Sequence, residues 1–179
     1  STLSTPPTLY KLDSSNNVVE YFKFSASSEY VHGGQIDSFP TDIRINLSFD
    51  KKDNLYICFG LDGVIYKLDN AKNLSVFRDD IFCPISLAFS KANTPFVVSG
   101  PKFQKPSDDY ELTKPVEVLK LSDTRDEVIY QIDNFKSVSG LSKIKNSLDY
   151  TNSGAHYNIT TNHLDEIYLE DPVNCKIIL

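Results

Sequence analysis

Tyr66-Lys67-Leu68-Asp69 repeats a phrase that first occurs as Tyr10-Lys11-Leu12-Asp13 and returns, less strictly, as Leu119-Lys120-Leu121-Ser122. Each time a polar turn and a second apolar run follow it. From Lys11 to Lys67 is 56 residues, and from Lys67 to Lys120 is 53. Spacing of this size is typical of one supersecondary unit packed beside the next, so the sequence predicts a repeat protein.

The repeat over residues 39–77 shows which unit is repeated. Residues 43–49 (IRINLSF) alternate between apolar and polar side chains, which is the period of a strand with one buried face. Further strands are predicted over 54–59, 64–68 and 74–77, with short turns rich in Asp, Asn and Lys between them. One repeat is therefore predicted to be a four-stranded antiparallel meander.

The other repeats keep this order with variations. A hairpin is predicted over residues 9–24 and a complete unit over 83–132, in which an insertion at 100–115 separates the second strand from the third. The unit over 138–179 is the most degenerate. Because no segment has helical spacing over three turns, the sequence predicts an all-β fold in a single domain, residues 1–179.

Size, composition and charge exclude several classes of protein. The 179 residues are 40% hydrophobic and 12% aromatic, which is enough to fill a core. A net charge of −6 and scattered Lys and Arg give no attraction for nucleic acid. No apolar run approaches the roughly 20 residues that cross a bilayer. We therefore expect a soluble chain with neither a nucleic-acid nor a membrane partner.

Several features predict a secreted protein. The chain begins at Ser1 and contains no Met, as mature proteins do after removal of a signal peptide, and as trimmed chains also do. Three Asn-x-Ser/Thr triplets begin at Asn46, Asn73 and Asn158. Asn46 lies inside a predicted strand, so we expect glycosylation at Asn73 and Asn158.

The three cysteines leave two alternatives open. Cys58, Cys83 and Cys175 are an odd number, so at most one internal disulfide can form. A Cys58–Cys83 bridge would join neighbouring repeats. In the other reading all three are small buried hydrophobic residues.

The arrangement of short motifs in residues 39–77 resembles the repeat of the SMP-30, gluconolactonase and NHL group of six-bladed β-propellers. In that group a Pro precedes the inner strand, an acidic turn precedes a Leu-Tyr strand, and an Ile-Tyr-Lys-Leu-Asp strand follows. The corresponding features of this sequence are, in the same order, Pro40, residues 50–56 and residues 65–69. The match is partial over 83–132 and poor beyond. It implies β-propeller-like sheets arranged radially.

The length of the chain accounts for about three to four blades of that kind. A small four-bladed ring, a half-propeller that dimerises, and an open stack are all compatible with this number. Because exposed strand edges invite pairing, we expect either self-association or capping by residues 25–40 and 100–115.

The same resemblance implies lactonase or esterase activity on a divalent metal held by Glu, Asn and Asp at the inner-strand ends. The corresponding positions here are residues 40–42, 83–85 and 139–141, and Asp42 is the one acidic residue among them. A hard cation needs several converging oxygen ligands, which a single carboxylate does not supply. We therefore predict no metal, and a metal-dependent lactonase is kept as the alternative.

Other catalytic signatures are missing from the sequence. His32, His156 and His163 lie apart, and none has a second ligand at a zinc-like spacing. No Gly-x-Ser-x-Gly elbow, phosphate loop or dinucleotide fingerprint occurs. The sequence predicts a protein without a cofactor that is not an enzyme.

The insertion carries the candidate binding residues Phe103, Asp108, Asp109, Tyr110 and Glu111. Long insertions on repeat scaffolds tend to carry binding. The acidic side chains would suit a Lys- and Arg-rich peptide, and the rings would suit a small aromatic ligand. The alternative is a solvated loop without a partner.

In size, predicted secretion and repeat phrasing, the chain also resembles small secreted insect proteins of the ommochrome-binding and venom-R-like type. That group includes a lepidopteran oral-secretion effector that dampens jasmonate signalling in plants, so the resemblance implies a host protein or a pigment as partner. The predicted function is a secreted, non-enzymatic binding protein. A diverged lactonase and a self-associating structural module are the alternatives.

Overall fold

The computed structural model describes residues 8–24, 45–60, 63–100, 102–104, 111–132, 157–171 and 176–178. All regular secondary structure in these ranges is β-strand, and every strand pairing is antiparallel, which confirms the all-β prediction. They contain no helix with the length and hydrophobicity needed to span a bilayer.

The chain divides into two compact units, Ser1–Thr41 and Asp42–Leu179, and each is described by itself. That residues 1–179 form one domain stays a prediction. The first unit contributes the hairpin of β1 (Thr8–Leu12) and β2 (Val18–Lys23).

The second unit contains three multi-stranded sheets and one further hairpin. Sheet A is formed in order by β3 (Ile45–Phe49), β4 (Leu55–Phe59), β5 (Val64–Leu68) and β6 (Leu74–Arg78). Sheet B is formed by β7 (Pro84–Phe89), β8 (Pro95–Ser99), β11 (Val116–Lys120) and β12 (Glu127–Ile132). Sheet C is formed by β13 (Asn158–Thr161), β14 (Ile167–Asp171) and β15 (Lys176–Ile178).

Sheets A and B confirm the predicted four-stranded meander. The insertion lies between the second and third strands of sheet B, as expected, and its described residues include regular structure. It contains the hairpin of β9 (Lys102–Gln104) and β10 (Glu111–Lys114), which satisfies backbone polar groups that a long loop would leave to solvent. In the last unit three predicted strands are present, and the strand predicted over 138–144 lies outside the described residues.

The repeated phrase marks the same structural feature in all three copies. The strand register shifts at Leu9/Tyr10, at Ile65/Tyr66 and at Val118/Leu119, in each case immediately before the first residue of the phrase. A β-bulge bends the strand and increases its twist. The extra residue is Tyr21, Phe77 or Ile129 in the partner strand, so the phrase begins opposite a bulge and leads into the next turn.

Five hairpin turns also share one geometry. In each, the first residue donates its N–H to the carbonyl of the fifth and accepts the N–H of the fourth at its own carbonyl. The fourth residue is left-handed, with φ between 60° and 67°. These turns span residues 13–17, 50–54, 69–73, 90–94 and 162–166.

Two hydrophobic clusters join the three sheets. The first includes Tyr56 and Cys58 from sheet A with Leu87 and Val97 from sheet B. The second packs the other side of sheet B against sheet C, through members that include Ala88, Phe96, Val98, Val116, Val118, Tyr157, Ile159 and Leu169. Sheet B is thus buried on both faces, and β7 lies between β3 and β13.

Candidate ligand-binding cavity

A cavity of about 560 Å³ lies between sheets A and B. Strands β4, β6 and β7 each supply one aromatic ring to its wall, namely Tyr56, Phe77 and Phe89. The loop over residues 121–126, between β11 and β12, also lines it. The cavity therefore combines an aromatic wall with a polar loop.

The three rings form one continuous wall. Tyr56 meets Phe77 edge-to-face with 4.9 Å between ring centroids, and it meets Phe89 at a tilted angle with 4.6 Å between centroids. Tyr56 is buried, whereas Phe77 and Phe89 are half-buried. The two phenylalanines therefore keep aromatic surface on which a flat ligand could stack.

Asp50 fixes the polar end of Tyr56. The Tyr56 hydroxyl donates to Asp50 Oδ2 over 3.3 Å, and Asp50 also accepts hydrogen bonds from the Lys52 and Asn54 backbone and from Asn54 Nδ2. Burial, and then the charge of Asp50, raise the pKa of Tyr56 to about 12. Burial would raise the pKa of Asp50, but these hydrogen bonds outweigh it and lower that pKa.

A charged cluster stands beside the aromatic wall. Arg78, the last residue of β6, makes a bidentate pair with Asp126, over 2.6 and 3.1 Å, and a second with Asp80, over 2.6 and 2.9 Å. The hydrogen bonds that Arg78 donates to Asp80 and then to Asp126 raise the pKa of Arg78, and the same bonds lower the pKa of both carboxyl groups. One guanidinium between two carboxylates leaves the cluster negative.

The loop at the mouth of the cavity is held by its own hydrogen bonds. The Ser122 N–H donates to Asp126 Oδ1, and the Arg125 N–H donates to the Ser122 hydroxyl. Asp123 and Arg125 are exposed at this mouth. With Arg78, Asp80 and Asp126, the lining holds two arginines and three aspartates and so carries one net negative charge.

The arrangement is suited to binding a small ring with a polar or cationic group. The ring would lie against Phe77 and Phe89, and the carboxylates of Asp80 and Asp126 retain acceptor capacity for a donor. Within the described ranges, no three side chains of the His, Cys, Asp and Glu types converge as metal ligands.

The residues predicted from the insertion are a separate group from the cavity lining. Phe103 lies on β9 and Glu111 on β10, while Asp108, Asp109 and Tyr110 lie outside the described residues. Binding by the insertion stays a prediction.

The positions singled out for metal or histidine chemistry are mostly outside the described residues too. The residues outside the described ranges are Asp42, His32, His156 and residues 139–141. His163 is exposed in the turn over 162–166.

Cys58 and Cys83 differ in environment. Cys58 is completely buried in the cluster between sheets A and B, and burial raises the pKa of its thiol to about 12. Cys83 is half-buried and precedes β7. Both are thiols in this structure, so a bridge between them stays a prediction, and Cys175 lies outside the described residues.

The two sequon asparagines predicted to carry glycans are exposed. The side-chain amide of Asn73 donates to Asp69 Oδ2, and that of Asn158 donates to Glu170 Oε2. Asn46 lies in β3, as predicted, and its side-chain oxygen accepts the N–H of Leu87. Glycosylation itself stays a prediction.

Sequence reasoning missed the residues that line the cavity. Arg78 and Asp126 are 48 residues apart, and no local pattern pairs them. A usable signal did exist for the wall, because Phe49 and Phe89 both end an alternating strand directly before a turn. Phe49 and Phe89 are therefore equivalent positions in their repeats, but the sequence does not show which sheet their rings face.

Comparison with known proteins assigns no family to this chain: no protein-family model matches it, and no curated protein matches it at a significant level. The fold itself defines its class, which is an all-β protein built from repeated antiparallel sheets.

Proposed function

We propose that this chain is a binding protein whose cavity between sheets A and B takes a small aromatic amine. The observation that carries the proposal is the aromatic wall of Tyr56, Phe77 and Phe89 beside the Arg78 cluster, in one cavity of about 560 Å³. Small-molecule sites typically measure about 300 to 1,000 Å³ and combine apolar walls with a few convergent polar groups.

The charge of the lining favours an amine over an acid. Asp80 and Asp126 together outnumber the one guanidinium between them, so a cation near them is attracted and a carboxylate is repelled. A cation close to the ring faces gains a further cation–π attraction. The exposed Asp123 adds to this preference, and the exposed Arg125 opposes it.

Tryptamine and indole-3-acetate are a matched pair of probes with opposite charge. Since the chain contains no Trp, the indole fluorescence reports on the probe alone. We expect saturable binding of tryptamine and at least about tenfold weaker binding of the acid, a difference of roughly 1.4 kcal/mol. Equal affinity for the two probes, or no binding of either, would contradict the proposal.

Two variants locate the binding. Phe89→Ala removes part of the wall and Asp80→Asn removes one exposed carboxylate, and both should weaken tryptamine binding. Phe82→Ala is the control, because Phe82 is exposed and does not line the cavity. Thermal unfolding of each variant shows whether a loss of binding reflects a loss of fold.

A propeller-like arrangement is the finer architecture that we propose. It is supported by the adjacency of β3, β7 and β13, each the first strand of its sheet. Solution scattering would test it, because radial sheets give a compact disc and a linear stack gives an elongated particle.

We further propose that the chain is secreted, and the exposure of Asn73 and Asn158 is compatible with glycans there. A mass decrease after glycosidase treatment of protein from its native source would support this, and an unmodified mass would oppose it.

A protein partner is the second candidate, and the hairpin of β9 and β10 favours it. Among the described strands, these two pair with each other alone, so they form a separate two-stranded sheet within the insertion. A host protein, as for a secreted insect effector acting on plant jasmonate defence, is the partner that the sequence resemblance implies. Replacing residues 101–114 by a short Gly/Ser linker should abolish such binding and leave tryptamine binding unchanged.

A further inference from the structure

We infer that Asn93 gives the cavity a preference for aromatic amines that carry a hydrogen-bond acceptor on the ring edge remote from the amine. The inference rests on the proposed function, because it defines the ligand class of the same cavity more narrowly. Its basis is a side-chain amide in the cavity lining, of which the oxygen is bonded within the fold and the NH2 group is left for a ligand.

The oxygen of Asn93 is occupied within the fold. Asn93 is the left-handed fourth residue of the turn over 90–94, with φ 67°, and its Oδ1 accepts the Lys51 N–H over 3.0 Å. A backbone N–H can only donate, so this bond determines which branch of the amide is the oxygen. The NH2 group is therefore on the other branch.

The NH2 group of Asn93 has no acceptor in the described part of the chain, where the bond from Lys51 is the one hydrogen bond of this side chain. Asn93 is half-buried and lines the cavity. Because a side-chain amide has two N–H donors, both are available to a ligand.

An equivalent turn shows that the bond between turns does not require an amide. Asp165 is the fourth residue of the turn over 162–166, and its Oδ1 accepts the Lys91 N–H as Asn93 accepts the Lys51 N–H. A carboxylate oxygen is therefore sufficient for this contact. Asp165 is exposed and does not line the cavity. The residue that does line it is the one that has an NH2 group.

Asn93 and the charged cluster are at different ends of the aromatic wall. Phe77 is followed by Arg78 of the cluster, whereas Phe89 is followed by the turn that contains Asn93. Tyr56 contacts both phenylalanine rings, with centroids 4.9 and 4.6 Å away, and so joins the two ends.

The loop over residues 121–126 has the same direction. The N–H of its first residue, Leu121, donates to the carbonyl of Pro95 over 2.9 Å, two residues after Asn93. Its last residue, Asp126, pairs with Arg78. A ligand whose ammonium group lies at the charged cluster therefore directs the far edge of its ring towards Asn93.

Other neutral hydroxyl donors of the lining are already used within the protein. The Tyr56 hydroxyl donates to Asp50, and the Ser122 hydroxyl donates to the Arg125 carbonyl. The NH2 group of Asn93 therefore decides what the cavity requires of a ring edge at this end.

The preference follows from the loss of water. A ring that fills the cavity displaces water from the NH2 group, and a donor that loses water without gaining an acceptor is costly. A ligand with an ether or carbonyl oxygen at that edge restores the bond, whereas a hydrocarbon edge does not. The net value of one neutral hydrogen bond corresponds to about a three- to tenfold difference in affinity.

Methoxytryptamines and ethyltryptamines are matched probes, because they have the same charge and similar size and differ by an ether oxygen in place of a CH2 group. Positions 5 and 6 of the indole are remote from the aminoethyl chain, so both isomers are tested by indole fluorescence. We expect at least one methoxy isomer to bind about three- to tenfold more tightly than its ethyl partner. Without the donor, the more apolar ethyl group would bind at least as well.

Asn93→Asp keeps an oxygen for the Lys51 N–H, as in the equivalent bond to Asp165, and removes the NH2 group. The added charge acts equally on the two probes of a pair, so the ratio of their affinities reports the donor. We expect the methoxy preference to disappear in this variant. Asn16→Asp is the matched control and should retain it, since Asn16 is also a left-handed fourth residue but does not line the cavity.

Thermal unfolding shows whether each variant is folded, and the comparison of probes on the native chain needs no variant. The inference would be overturned if neither methoxy isomer were preferred, or if Asn93→Asp left the preference unchanged. Tryptamine that still bound in preference to indole-3-acetate would, in that case, leave the proposed function intact. If none of these amines bound saturably, the inference and the proposed function would both be wrong.

Discussion

At the scale of single residues, Asp50 shows how burial changes the value of a repeated interaction. Asp13, Asp50 and Asp69 each begin a turn of the shared geometry, and each accepts hydrogen bonds from the Asn four residues later. Asp50 is 5% exposed, and its carboxylate also holds Tyr56. A buried donor that loses its acceptor cannot form a hydrogen bond with water instead. Of the three turns, the one that begins at Asp50 is therefore expected to contribute most to stability.

Asp50→Ala should therefore lower the free energy of unfolding by about 2 to 4 kcal/mol, because it leaves buried donors of Asn54 and Tyr56 without an acceptor. Asp69→Ala removes the equivalent bonds to Asn73 at an exposed turn and should have a much smaller effect. Urea denaturation of both variants is the measurement. Equal losses would show that burial does not decide the difference.

Two glycines make a second matched pair. A Cβ on Gly100 would lie 3.0 Å from Cys83 Sγ and 3.2 Å from the Cys83 carbonyl oxygen, whereas a Cβ on Gly60 would meet nothing nearer than 3.4 Å. We expect Gly100→Ala to destabilise by about 1 to 3 kcal/mol through overpacking. Gly60→Ala should be close to neutral. Thermal unfolding tests this pair, and a neutral Gly100→Ala would contradict the close approach of Gly100 to Cys83.

At the scale of elements, the five turns of shared geometry determine where the strands before them end. Each turn needs a left-handed fourth residue, and Asn and Asp, which tolerate that conformation, occupy it at four of the five turns. Lys72 is the exception, with φ 64°. The sequence predicted turns at these places from their polar residues, but the common geometry appears only when backbone hydrogen bonds are compared.

Lys72→Gly should raise the free energy of unfolding by about 0.5 to 1 kcal/mol, because glycine adopts positive φ without strain. Asn93→Gly relieves less strain and removes the side-chain acceptor of the Lys51 N–H, so it should be destabilising. Chemical denaturation of the two variants gives the sign of each change. If Asn93→Gly were stabilising, the hydrogen bond from the Lys51 N–H to Asn93 Oδ1 would contribute nothing to the free energy of unfolding.

At the scale of the whole second unit, stability depends on charges that bridge sheets A and B. Arg78 of sheet A pairs with Asp126, which precedes β12 of sheet B, and both side chains are more than three-quarters buried. Hydrogen bonds with Arg78 lower the pKa of Asp126 and of Asp80, and the pKa of Asp50 is lowered as well. The folded state therefore favours the ionised form of all three.

The pH dependence follows from the sign of these shifts. A carboxyl group whose pKa is lower when folded stabilises the protein above its unfolded pKa, which is about 4 for Asp, and loses that contribution as the pH falls through the folded value. The free energy of unfolding should therefore decline as the pH is lowered below about 4.

Asp126→Asn should reduce the slope of this decline, because one of the three linked carboxyl groups is removed. Asp123→Asn, at an exposed loop position, is the control. Urea denaturation at a series of acidic pH values is the measurement, and an unchanged slope for Asp126→Asn would contradict the linkage.

The sequence by itself determined the all-β class, the order of strands within sheets A and B, and the positions of the turns. These features depend on neighbours along the chain, because side-chain alternation, turn residues and the repeated phrase act over a few residues. The phrase even begins opposite a bulge at each of its three occurrences.

Only the tertiary structure decided which residues meet between sheets. The cavity joins Tyr56, Phe89 and Asp126, which are far apart in sequence. The physical reason is that each sheet has two faces that look alike in an alternating pattern. The packing of the next sheet selects which face becomes core, which becomes a cavity wall, and which stays exposed.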